Sequence, residues 1–352
     1  MTTIGSRKAD HLALCATDEV AFRDKTTLFE QVRIVHDALP DLDAAAVDTS
    51  CTLFGKRLRA PIVIAAMTGG TEDAARVNRE LSALAEERGY GFGLGSQRAM
   101  HTRPESAPTY GVRESAPTTL ILGNIGVVQA RAMTLREIEA LVKGVSADAL
   151  CVHLNPAMEL VQPGGDRDFR GGLETIATLV RELPFPVVVK ETGCGISSHV
   201  GRRLAAAGVR HVDVSGAGGT SWVAVETKRA EAAADTRARA LGEALWDWGI
   251  PTAASVGALA PLGFETLIAT GGVATGMDVA RAIALGASAG GIARPALQAL
   301  VSGGRAGAAA FFEAVETELR AVMLLTGSAN LEALRKAPRV LGSELRAWLD
   351  HA

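Results

Sequence analysis

The chain holds 352 residues, 48% of them hydrophobic and 21% charged, with few aromatics and a formal net charge of −3. That balance gives no support to broad binding of nucleic acid or of an anionic membrane, so a bound anion has to be held by a local site. Four cysteines, Cys15, Cys51, Cys151 and Cys194, form no C-x-x-C pair and no zinc-ligand spacing. No signal-peptide core and no run of membrane-spanning length is present, which makes a reduced, cytoplasmic setting the expectation.

Residues 1–60 precede the first strand signal and are expected to form an N-terminal extension packed on the main domain. Short apolar runs then recur, each ending in small or polar residues. They are Pro61–Met67, Gly91–Gly95, Thr118–Asn124, Ala149–Asn155, Pro186–Glu191, His211–Gly216, Thr266–Gly272 and Ala289–Ala293. Continuous β-branched runs of this kind fit parallel strands buried on both faces. Helical patterns separate them, several opening on a capping hydroxyl (Thr134, Ser197, Thr275) and closing on a glycine (Gly89, Gly208, Gly286). Residues 221–250 are a charged, alanine-rich insertion that reads as helix or mobile lid. Residues 313–352 read as a C-terminal helical tail that closes the bottom of the fold or makes a subunit contact. Eight strand–helix units predict a single α/β domain, a (β/α)8 TIM barrel with an N-terminal extension and a helical insertion after strand six. An open doubly wound sheet can use the same units, but G-x-G-x-x-G after the first strand is absent.

In such a barrel the chemistry lies at the C-terminal strand ends. Those ends carry Met67 to Gly70, Ser96-Gln97-Arg98, Asn124, His153 with Asn155 and Glu159, Lys190, and Ser215 to Ser221. Gly271-Gly272 leads to Val273 and Ala274, and Gly291 leads to Ala293 and Arg294. Paired glycine loops after strands seven and eight are the usual phosphate site of this barrel, although either pair alone also serves a plain turn. Lys190 reads as a surface lysine partnered by Glu191, or as a cation beside an electron-poor ring such as a flavin. The run Ser215–Trp222 is a flexible loop, or a place where backbone approaches a ligand and Thr220 and Ser221 offer hydroxyls. His153 and Asn155 share one face of strand four. A histidine alone there is more often structural; beside Asn155 and Glu159 it reads as part of a site. The Glu159 carboxylate can take a hard cation such as Mg2+ that also touches substrate phosphates. Arg7, Lys8 and His11 form a solvated basic patch unless the extension folds over the rim and brings them to a diphosphate.

These residues stand in ordered motifs: RKADH, AAMTGG, GSQR, GNIG, HLNP..E.VQPGGDRDF, VVVKE.G.GIS and SGAGGTSW. Together they resemble the type 2 isopentenyl-diphosphate isomerases over nearly the whole chain. The resemblance implies FMN, Mg2+ and NADPH as cofactors, a prenyl diphosphate as substrate, and a homo-oligomer of four or more copies. It implies interconversion of isopentenyl and dimethylallyl diphosphate, with the proton moved through flavin N5. The flavin would meet Ala66, Met67, Thr68, Ser96, Asn124, Lys190, Ser215 and Thr220. Its phosphate would lie on Gly272, Val273, Ala274, Ala293 and Arg294. The substrate would meet Arg7, Lys8, His11, Ser96, Gln97 and Arg98, with His153 and Asn155 also in catalytic positions and Glu159 holding Mg2+.

Two positions depart from the family pattern. Ala274 stands where Arg or Lys is frequent, which leaves phosphate grip there to backbone N–H groups. Met158 stands at a catalytic position where the family has Gln, and a thioether accepts weakly and donates nothing. Met158 therefore admits a slower isomerase, a pocket for altered prenyl-diphosphate chemistry, or an FMN-binding paralogue without turnover. A flavin 2-hydroxy-acid oxidase would need a catalytic His and an Arg pair near strand six or seven. The strand-end runs SGAGGTSW and ATGGV supply neither. An inosine-monophosphate-dehydrogenase-like barrel would need a Cys after strand six, and no Cys lies beyond Cys194.

Overall fold

The computed structural model describes residues 4–351, apart from the side chains of residues 4–7 and 9. The eight apolar runs form eight strands: β1 (Ile62–Ile64), β2 (Gly91–Gly93), β3 (Leu120–Gly126), β4 (Ala149–Leu154), β5 (Val187–Glu191), β6 (His211–Asp213), β7 (Thr266–Thr270) and β8 (Ala289–Ile292). They close into a parallel barrel in chain order, with β8 returning to β1 through Gly290↔Ile62 and Ile292↔Ile64. The ladders are shorter than the apolar runs. The pairing of β1 stops at Ile64, and Ala66 to Thr68 leave the ladder to line the barrel's mouth.

Helix boundaries follow local chemistry. Thr71 caps Glu72–Arg88 by accepting the Ala74 N–H, acidic residues fill the first turn, and Gly89 ends the helix at φ 68°. Thr134 and Thr275 build full capping boxes, and Ser197 caps Ser198–Ala206. Each strand is buried on both faces, as a barrel sandwiched between helices and its own interior requires. Ile62 and Ile64 pack into the large cluster shared with the helices, whereas Val63 between them joins the barrel interior.

The extension contributes a helix, Ile4–Cys15, and a hairpin made of Cys51–Leu53 and Lys56–Leu58. Leu53 and Leu58 of the hairpin pack against Val63, Leu122, Cys151 and Val188 inside the barrel. The hairpin therefore seals the N-terminal end of the barrel, a task expected of the C-terminal tail. That tail also begins earlier than residue 313. One helical stretch runs Arg294–Leu325, broken at Gly304, whose φ of 61° and ψ of −162° are not helical. Beyond it, Arg339–Leu341 pairs antiparallel with Val32–Ile34 of the extension, so the two ends of the chain are joined by a ladder. The insertion after β6 is a pair of helices, Trp222–Ala232 and Thr236–Ala244. It is pinned to the extension by a cluster of Val20, Ala224, Val225 and Trp246.

Candidate active site

A cavity opens at the C-terminal ends of the strands, and every residue expected at the cofactor lines it. So do Lys8, His11, Arg98, His153, Asn155, Met158 and Glu159. The side chain of Arg7 lies outside what the structure describes. Gln97 does not reach the cavity, which corrects its expected substrate contact. It is fully buried, with Nε2 donating to Leu141 O at 2.9 Å and Oε1 accepting the Asn124 N–H at 2.9 Å. Its amide is spent on holding the end of β3. Ser221 is likewise internal: it caps the helix at Trp222 and donates to Trp246 O.

Asn124 donates through Nδ2 to Leu94 O at 3.0 Å, which turns Oδ1 toward His153 Nδ1 at 2.9 Å. A neutral imidazole therefore carries its proton on Nδ1 and leaves Nε2 as the acceptor. Burial, reinforced by the cations of Lys190, Arg98 and Lys8, pushes the His153 pKa down to about 4. An unfolded histidine titrates near 6.5, so between about 4 and 6.5 the unfolded chain binds more protons. His153 thus contributes stability that is complete above pH 6.5 and is lost as the pH falls toward 4. An NMR titration is expected to show a neutral Nδ1–H imidazole at pH 6; a midpoint above 6 would contradict this electrostatic account.

Lys190 and Asp213 face each other across the β5–β6 ladder, where they are register partners. Their ion pair is 3.1 Å long, and the side chains are only 8% and 7% exposed. Thr270 Oγ1 donates to Asp213 Oδ2 at 3.0 Å, and the Ser215 N–H reaches Oδ1 at 3.2 Å. The Lys190 ammonium is thus a fixed, buried cation at the cavity floor, not a surface lysine. Ser215 itself sits at a φ of 37°, and its carbonyl accepts the N–H groups of Gly193 and Gly195. Sequence reasoning missed Asp213. The signal was available: Asp213 and Ser215 alternate onto the same face of strand six.

Glu159 is 6% exposed and is the only carboxylate among the described residues lining the cavity. Asn155 Nδ2 donates to Oε1 at 2.9 Å; Gln162 Nε2 and the Asp166 N–H donate to Oε2 at 3.2 and 2.8 Å. Asp166 in turn accepts from Gln129 Nε2 at 2.7 Å and lies 3.9 Å from Arg98 Nη1. The motif QPGGDRDF therefore ties the carboxylate to the arginine. Met158 lines the cavity beside them, its sulfur 4.0 Å from Asn155 Nδ2.

The extension does fold over the rim. His11 Nε2 is 2.7 Å from Glu226 Oε1 and edge-on to Trp222, while Arg229 bonds both Glu226 and Asp10. Glu226 is fully buried by this clasp; burial alone would raise its carboxyl's pKa, but the hydrogen bond and charge of His11, with the Arg229 guanidinium, hold it below the usual range.

At the opposite side, the glycine loops after β6 and β7 lie against the extension. A Cβ on Gly218 or Gly272 would overlap Thr27, and both residues hold positive φ (118° and 72°). Close approach of the chain to itself accounts for part of the glycine content there. The Ala274 N–H, expected at a phosphate, donates instead to Asp278 Oδ2 at 3.1 Å. Arg294 compensates. Its Nη1 is buried at the cavity lining without a hydrogen-bond partner among the described residues, 3.7 Å from Asp18 Oδ1. An orphaned guanidinium nitrogen beside two glycine turns fits an anion.

The FMN-dependent dehydrogenase family matches residues 2–116 and 162–340 of the chain. An isopentenyl-diphosphate delta-isomerase of Methanothermobacter thermautotrophicus is 44% identical over 348 residues, covering 99% of this chain and 96% of its own. Another, from Nostoc sp., is 45% identical over 334 residues, 94% of either chain. Among solved structures, a mandelate oxidase variant with benzaldehyde superposes with a TM-score of 0.66 at 19% identity, over 94% of this chain and 98% of that one. That likeness is one of fold alone; the loops that follow β6 and β7, Val214–Thr220 and Gly271–Thr275, contain no His or Arg. Family match, near-complete coverage and the cavity agree: the chain belongs to the FMN-dependent dehydrogenase family and, within it, to the type 2 isopentenyl-diphosphate delta-isomerases.

Proposed function

We propose that the protein interconverts isopentenyl and dimethylallyl diphosphate on FMN. The observation that carries this reading is the charge of the cavity lining. Lys8, Arg98, Lys190 and Arg294 face it, with Glu159 as the only carboxylate among the described residues, in a protein whose net charge is −3. The cations fall into two groups, which suits two separate anions. Arg294 and the Gly271-Gly272 turn fit the FMN phosphate, and Lys190 stands where the ring of a bound flavin needs a cation. Lys8 and Arg98, at the mouth, fit a diphosphate, and Glu159 is placed to share an Mg2+ with it; one carboxylate plus substrate oxygens is an ordinary Mg2+ set. Met67, Trp222 and Leu12 supply the apolar wall that a five-carbon alkenyl chain needs.

When bound and reduced, FMN supplies at N5 the proton donor and acceptor for a redox-neutral shift of the double bond. The protein's residues do the rest. His153 and Asn155 present a neutral acceptor and an amide to the substrate, and the helix Ile4–Cys15 covers the mouth and excludes water from a cationic carbon. NADPH as reductant, a cytoplasmic setting and a homo-oligomer of four or more copies complete the reading.

The second reading rests on Met158. With a thioether at this place, the chain is an FMN-binding paralogue with altered prenyl-diphosphate chemistry or none. Deuterium uptake from D2O into isopentenyl diphosphate, with FMN, NADPH and Mg2+, separates the two. Wild type is expected to exchange, and Met158→Gln to exchange about 10-fold faster, a modest share of what general acid–base help supplies. An inert wild type beside an active Met158→Gln would overturn the isomerase reading for the natural chain.

A further inference from the structure

Tyr110 was not singled out by its sequence context, and it does not line the cavity, yet it touches a residue that does. It ends the short 3-10 segment Pro104–Tyr110 and is fully buried. Its ring occupies the space above Gly69, where any Cβ would overlap it. The segment is anchored on both sides: the Gly70 N–H donates to Thr109 Oγ1 at 2.8 Å, and Asn78 Nδ2 donates to Thr109 O at 3.1 Å. The second half of the AAMTGG motif thus builds a seat for one phenol.

The phenol oxygen lies 2.8 Å from Ser96 O and 2.5 Å from Lys8 Nζ, and Lys8 Nζ is itself 3.0 Å from Ser96 O. The direction of these bonds follows from chemistry. A carbonyl only accepts, so the single phenolic O–H donates to Ser96 O, and the oxygen's lone pairs face the ammonium. Burial raises the phenol's pKa far above neutrality, so Tyr110 is a neutral acceptor. The ammonium also stands 5.1 Å from the ring centroid, within the range of a cation–π contact.

We propose that Tyr110 is a positioning residue for Lys8. Its oxygen and the Ser96 carbonyl form a two-point socket that fixes the ammonium of the N-terminal helix at the cavity mouth, where the diphosphate docks. A flexible four-carbon stem is thereby ordered before the substrate arrives, so less freedom is lost on binding. This rests on the prenyl-diphosphate reading above.

Tyr110→Phe keeps the ring in its seat and removes only the oxygen. The expected result is a KM for isopentenyl diphosphate raised about 5-fold, with kcat within about 2-fold and FMN affinity unchanged. Lys8→Met is expected to raise KM further, and adding Tyr110→Phe to it to change nothing more. An equal penalty in both backgrounds, or a fall in kcat at constant KM, would overturn the proposal in favour of a merely structural tyrosine. A second measurement is independent of substrate: trypsin cleavage after Lys8 in the FMN-loaded, substrate-free protein, followed by mass spectrometry. Tyr110→Phe is expected to speed it several-fold. If wild type shows no turnover while this cleavage responds, the substrate reading falls and the socket stands. If cleavage does not respond, the socket falls.

Discussion

Lys190→Met is expected to lower isomerase turnover by about 10²-fold or more, the scale on which fixed electrostatic groups act in a water-poor site. The variant keeps the stem and removes a cation held 3.1 Å from Asp213 at the cavity floor. It also strands a buried carboxylate. Removing one partner of a buried pair typically costs about 3–5 kcal/mol, because the other charge stays in place unpaired. Stability and activity therefore separate. Lys190→Met combined with Asp213→Asn is expected to regain most of the lost thermal stability and none of the turnover. Melting temperature and initial rate, measured side by side for the single and double variants, check this. A single variant with normal turnover would remove Lys190 from the chemistry.

Glu159→Gln is expected to abolish the stimulation of turnover by Mg2+ and to lower the rate at saturating Mg2+ by about 10²-fold. All three hydrogen-bond partners of this carboxylate are donors: Asn155 Nδ2, Gln162 Nε2 and the Asp166 N–H. An amide in its place turns its own NH2 on one of them, so the variant loses charge and gains a donor–donor conflict. FMN occupancy, read from flavin absorbance, is expected to stay at the wild-type level because no residue of the proposed phosphate end touches Glu159. A Mg2+ titration curve unchanged from wild type would place the metal elsewhere.

Much of this was legible in the sequence because barrel strands and strand ends are local signals. All eight runs became strands, and most of the residues at their ends reached one cavity. What sequence could not supply was contact between distant segments. The ladder between Val32–Ile34 and Arg339–Leu341 joins three-residue strands about 300 positions apart, with no turn to announce them. The hairpin at Cys51–Leu58 is equally short and shows no clean alternation. In the site, Gln97 looked like a substrate ligand because it sits between Ser96 and Arg98, yet it points to the core and satisfies Leu141 and Asn124. Ala274 looked like a phosphate contact until Asp278 claimed its N–H. Tyr110 came to Lys8 by packing across 102 positions of sequence, which periodicity does not encode.

The hairpin that packs Leu53 and Leu58 into the base of the barrel has a kinetic consequence. With side chains filling the barrel's interior and the hairpin beneath them, the cavity is a cul-de-sac. On the proposed reading, whatever reaches a bound flavin comes and goes by the same doorway under the helix Ile4–Cys15. On that reading a reductant and a diphosphate take turns, each turning the other away while it is inside. Because the proposed shift of the double bond is redox-neutral, one reduction then serves many substrate molecules before the doorway is yielded again.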